Sequence, residues 1–88
     1  MRQVVRYRGR VQGVGFRATV FSIARRHPVT GWVRNEPDGS VVLEVQGAEE
    51  SVKAMLAEVH AAMERFITSE APTQVAELET ESQFVILR

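Results

Sequence analysis

The sequence predicts an α+β fold, a two-layer sandwich with an antiparallel sheet on one side and two helices on the other. Three observations lead there. Apolar and polar residues alternate in a series of short stretches, the period of a half-buried strand. Two longer stretches space their apolar residues three and four apart, the period of a helix packed on one face. The two kinds interleave in the order βαββαβ, with a short extra strand at the end. That order suits helices laid on one face of an antiparallel sheet.

Taken in order, Val5, Tyr7 and Val11 alternate with Arg6, Arg8 and Arg10, which places the first strand over Gln3–Val11. Phe16, Val20, Ile23 and Ala24 then recur at helical spacing, so the first helix covers Arg17 to about Arg26. Arg25, Arg26 and His27 fall in its last turn, where the dipole favours cations, and Pro28 ends it. The second strand covers Val29–Asn35, and the third Ser40–Gln46 with Val41, Leu43 and Val45 inward. Glu36-Pro37-Asp38-Gly39 joins them as a hairpin turn, Pro presetting φ and Gly supplying a positive one.

Glu49 and Glu50 open the second helix at the end where its dipole favours acids. Val52, Leu56, Val59, Met63 and Phe66 form its apolar stripe, and Glu49 and Lys53 stand as an i,i+4 pair. Ile67–Pro72 reads as a polar, irregular connection. Thr73–Glu79 reads as the fourth strand, with Val75 inward, and Phe84–Leu87 as a short terminal one. The favoured topology is ferredoxin-like, one domain over residues 1–88.

Composition narrows the chemistry. With 88 residues the chain can build one modest core. No apolar run approaches a membrane span, and the N-terminus has no apolar signal region. The absence of cysteine fits a cytoplasmic protein and excludes a thiol nucleophile. Net charge is zero but unevenly spread: residues 1–35 hold eight arginines and no acid, and all eleven acids follow. The basic half is expected to draw in anionic ligands, or else to be a solvated strand face and helix end.

Within that half, Gly9-Arg10-Val11-Gln12-Gly13-Val14-Gly15-Phe16-Arg17 joins a strand to a helix. Such a junction points several backbone N–H groups at one spot, beside the positive end of the helix dipole. Arg17 adds a planar fork suited to phosphate oxygens. The glycine spacing does not match the dinucleotide fingerprint, and no Gly-Lys-Ser/Thr follows to make a P-loop. The single aspartate, Asp38, sits in the hairpin turn, and the two histidines, His27 and His60, lie in different helices without a ligand set. A site of amides, one arginine and one carboxamide holds charge and positions water but offers no strong nucleophile. It suits a phosphate that already has a good leaving group, such as a mixed anhydride.

This loop, followed by Thr30-Gly31-Trp32-Val33-Arg34-Asn35 and then Pro37-Asp38-Gly39-Ser40-Val41, resembles acylphosphatase from about Arg6 to Gly47. The resemblance implies the same ferredoxin-like sandwich and hydrolysis of the carboxyl–phosphate bond, with no cofactor and no metal. It implies that Arg17 binds the phosphoryl group, with Gln12, Gly13, Val14, Gly15 and Phe16 beside it, and that Asn35 orients the attacking water. The alternatives are a surface helix arginine at Arg17 and a plain turn residue at Asn35. Asn35 is expected to end a strand adjacent to the first. The stretch Glu64–Pro72 lacks the Gly-Pro turn common in the family, so that connection is expected to differ.

The expected partner is a small-molecule acyl phosphate, bound by a monomer, with no nucleic acid or membrane involved. The competing class is a noncatalytic phosphate- or RNA-binding module of the same fold. An RNA platform needs exposed aromatic residues on its strands, and only Tyr7 and Trp32 are candidates.

Overall fold

The computed structural model describes residues 1–88, and its alternating segments form one five-stranded sheet. The strands are β1 (Arg2–Gly9), β2 (Thr30–Asn35), β3 (Val41–Gln46), β4 (Ile67–Gln74) and β5 (Phe84–Ile86), in the order β4-β1-β3-β2-β5. Helices α1 (Phe16–Ala24) and α2 (Glu49–Met63) cover one face. The period of two puts Val5 and Tyr7 of β1, Val33 of β2 and Val41, Leu43 and Val45 of β3 on that face. They meet Phe16, Val20 and Ile23 of α1 and Val52, Met55, Val59 and Met63 of α2. This is the ferredoxin-like βαββαβ sandwich that the sequence predicts.

Several boundaries differ. β1 ends at Gly9, yet Val11, which the alternation had put in the strand, stays fully buried in the following loop. The first helix starts at Phe16 and ends at Ala24; Arg26 and His27 continue as single turns, their amides donating to Ile23 O and Ala24 O. Met55, rather than Leu56, is the fully buried residue in the middle of the α2 stripe.

The fourth strand is the main correction. It covers Ile67–Gln74, not Thr73–Glu79, and Ile67–Pro72 is strand rather than irregular connection. β4 is an edge strand whose residues after Ile67 are all exposed, so no alternation marks it. Pairing with β1 decides, in register from Gln3 opposite Gln74 to Tyr7 opposite Glu70. Pro72 is tolerated because the strand lies on the edge. A 3₁₀ turn, Glu64–Phe66, leads from α2 straight into β4, so no loop separates them and no glycine is required.

The sheet is antiparallel from β4 through β2, and β5 then adds in parallel to β2. β4 ends at the side of the sheet where β2 begins, so a strand entering there runs alongside β2 in the same direction. β3 lies between β1 and β2; Asn35 therefore does not end a strand adjacent to the first.

The segment 75–83 crosses the face opposite the helices, held by a fully buried arginine. Arg2 donates from Nε to Glu44 Oε2 at 2.5 Å, and from Nη1 and Nη2 to the two oxygens of Glu81 at 2.8 and 3.1 Å. Gln46 exchanges two 2.8 Å hydrogen bonds with the backbone of Leu78. These bonds satisfy a charge that burial alone would penalise heavily. No helix is long and apolar enough to cross a membrane.

Candidate active site

The loop between β1 and α1 is fixed at both ends and in the middle. Arg10 N donates to Phe66 O at 2.9 Å, and the Val11 side chain is sunk in the core. The Gln12 carboxamide donates to Glu36 O at 2.8 Å and Ser40 O at 2.9 Å, stapling the loop to the β2–β3 turn. That staple is how the loop reaches Asn35 across the intervening β3. The turn is a three-residue hairpin loop: Gly39 N donates to Glu36 O, Glu36 N to Ser40 O, and Gly39 has φ 91°.

Gly13 and Gly15 have φ of 77° and 79°, and a Cβ on either would meet nothing within 4 Å. Backbone conformation, not crowding, therefore demands glycine there. Gly15 is the N-cap of α1, and its carbonyl accepts from Thr19 N at 3.0 Å. The N–H groups of Gly13 through Ala18 donate to no backbone carbonyl. They sit where a helix start leaves its donors open.

A cavity of about 230 Å³ lies against this loop, lined by Gly13, Gly15, Phe16, Arg17 and Asn35 together with Val11, Ala18, Ile86 and Arg88. Of the residues singled out in the sequence, Gln12 and Val14 do not line it. Gln12 serves as the staple, and Val14 packs half-buried against the core. Phe16 is anchored by its ring, 5.0 Å from that of Tyr7. Arg17 is half-buried and makes no ion pair; Asn35 ends β2 half-buried, its side chain without a hydrogen bond to the protein.

Ile86 and Arg88 carry no signal in the linear pattern. They reach the cavity only because β5 pairs in parallel with β2, a pairing that alternation cannot reveal.

The electrostatics of the cavity are simpler than the sequence suggests. Most arginines of the basic half are paired: Arg2 with Glu44 and Glu81, Arg6 with Glu36 and Asp38, Arg8 with Asp38, Arg26 with Glu58 and Arg34 with Glu36. No Asp or Glu lines the cavity, and Arg17 and Arg88 are its charged lining residues. Asp38, in the nearby turn, accepts from Ser40 Oγ and N, and these bonds, helped by the charges of Arg8 and Arg6, hold its carboxyl down at about 2. It stays ionised and has no proton to give at neutral pH.

The histidines lie outside the cavity: His27 Nε2 is 2.7 Å from Glu58, and His60 Nδ1 is 2.8 Å from Glu70. No three His, Cys, Asp or Glu side chains converge. Tyr7 is 1% exposed, so it cannot stack on a base, and Trp32, the other strand candidate, is half-buried with the Arg34 guanidinium over its ring.

Residues 3–86 match the family model described as acylphosphatase. An acylphosphatase of Rhizobium etli is 47% identical over 75 residues, which span 85% of this chain and 80% of that one. The crystal structure of acylphosphatase from Bacillus subtilis superposes with a TM-score of 0.86 at 31% identity, covering all of both chains. HypF of T. kodakarensis matches with a TM-score of 0.85 at 25% identity; this chain covers 12% of it. The family match runs well past Gly47, so the similarity includes the second half that the motifs alone leave out.

Proposed function

The chain belongs to the acylphosphatase family, and from that premise we propose how its cavity breaks the carboxyl–phosphate bond of acyl phosphates. The carrying observation is the convergence of Arg17, Asn35 and the open amides of the glycine loop on one cavity free of acids. The phosphoryl oxygens take the loop amides and the Arg17 fork. A water held by the Asn35 carboxamide, which both donates and accepts, attacks phosphorus from the side away from the acyl oxygen. As the new P–O bond forms, the bond from phosphorus to the acyl oxygen breaks. The carboxylate leaves with the bonding pair, and the water proton passes to a phosphoryl oxygen, giving orthophosphate.

No side chain in this scheme forms a covalent bond. The catalytic contribution is positioning and electrostatic stabilisation of a loose transition state. A carboxylate leaves readily without protonation, which is why a site lacking a general acid suits an acyl phosphate better than a phosphate monoester. The enzyme is read as a cytoplasmic monomer acting on a small molecule.

The test is phosphate release from acetyl or benzoyl phosphate by the purified protein, with and without EDTA. Turnover is expected in both, with orthophosphate a competitive inhibitor and monoesters poor substrates. Loss of turnover in EDTA that a divalent cation restores would overturn the scheme.

A further inference from the structure

We infer that the groove between α2 and the edge strand β4 is a second binding site, taking a small uncharged molecule with an apolar body and one hydroxyl group. The inference stands apart from the acyl phosphate reading. β4 pairs with β1 so that Val5 lies opposite Pro72 and Tyr7 opposite Glu70. Val5 and Tyr7 point into the core, so Pro72 and Glu70 turn to the same face of the sheet. Helix α2 does not extend over them: every residue of β4 after Ile67 is exposed. What remains is a groove of about 540 Å³, floored by Val5 and Tyr7 and walled by Pro72 and Glu70 on one side and by Leu56 and His60 on the other. That volume falls within the roughly 300–1,000 Å³ of small-molecule sites.

One polar atom on the floor is unanswered. Tyr7 is 1% exposed, with its ring 5.0 Å from that of Phe16. Its hydroxyl makes no hydrogen bond within the protein, and no polar side-chain atom of the chain is both sealed from solvent and unpaired. The sliver that Tyr7 exposes is therefore its hydroxyl, at the floor of the groove. Burial, and after it the Glu70 charge, push its ionisation up, so it keeps a proton to donate. Across from it, Glu70 Oε1 lies 2.8 Å from His60 Nδ1, and Oε2 is left free. A ligand hydroxyl set between the two accepts from Tyr7 and donates to Glu70. The charges on the rim answer one another, His60 with Glu70 and Lys53 with Glu49 at 2.7 Å, so no net charge is left to draw in an ion. Val5, Leu56 and Pro72 receive the apolar body.

The test is an NMR titration of the isotope-labelled protein with phenol, anisole and benzoate, three probes that share a ring and differ in its polar group. Phenol is expected to shift the amides of Tyr7, His60 and Glu70 and to leave those of Gly13 and Arg17 in place, saturating with a Kd on the order of 1 mM. Anisole accepts but does not donate, and benzoate sets a second charge beside Glu70; each should bind roughly three- to tenfold more weakly. Tyr7→Phe keeps the ring against Phe16 and removes only the hydroxyl, and it should weaken phenol by about the same factor. Glu70→Gln, on the exposed edge, should close the gap between phenol and benzoate, and melting curves check that each variant is folded. Equal affinity for phenol and anisole in wild type, or unaltered phenol binding in Tyr7→Phe, overturns the assignment. Shifts that never saturate mark a groove filled by water only and overturn it too. If Tyr7→Phe does not fold, an unchanged phenol-to-benzoate ratio in Glu70→Gln is the result that overturns it.

Discussion

Arg17 and Asn35 differ in what their removal should do. We predict that Arg17→Ala weakens orthophosphate inhibition and lowers turnover together by two to three orders of magnitude, about 3–4 kcal/mol for one preorganised donor. Arg17→Lys should also lose most activity, because a point charge does not replace a bidentate fork. Asn35→Ala should collapse kcat while the orthophosphate inhibition constant stays within a few-fold of wild type, the mark of an interaction made in the transition state. A folded Asn35→Ala protein with most of its kcat would return Asn35 to a turn residue. Gly13, Gly15, Arg17 and Asn35 were legible in the sequence because each sits in a short local block whose backbone chemistry can be read directly. Arg88 was not, because only the pairing of β5 brings it to the cavity.

At the scale of the element, β2 and β3 approach so closely at Gly31 that a Cβ there would lie 1.9 Å from Glu44 O, and Gly31 has φ 146°. Gly31→Ala should therefore cost ~3 kcal/mol or more, read as a lower urea midpoint with little change in slope. A midpoint within error of wild type would show that the two strands can part without loss. Helices and central strands were legible because each buries one face and so carries a period. β4 carries none, being exposed beyond its first residue and specified by backbone pairing with β1. Its position depends on where the 3₁₀ turn Glu64–Phe66 delivers the chain, a geometric fact with no compositional trace.

Across the whole molecule, the basic first half and the acidic second half meet as ion pairs. The lopsided sequence thus folds into a largely neutralised surface, and the expected broad basic field contracts to the few unpaired arginines. The buried pairing of Arg2 with Glu81 ties the segment 75–83 to the sheet and makes stability depend on pH. The hydrogen bond from Arg2 holds the Glu81 carboxyl below its ordinary value of 4.5. A depressed folded value means that its stabilisation is complete above that ordinary value and is lost as pH falls through the folded one. Glu81→Gln should therefore melt well below wild type at pH 7, with the gap closing under about pH 4. A gap independent of pH would assign the effect to packing instead.

The two walls of the cavity rest on different foundations. The wall made by the β1–α1 loop is tied to Val11, Phe16 and the β2–β3 turn, all continuous with the core. The wall made by Ile86 and Arg88 is carried by β5, three residues paired on one side at the sheet's edge. Divergence can proceed at that edge while the loop stays fixed, so one wall of the cavity can change without disturbing the other.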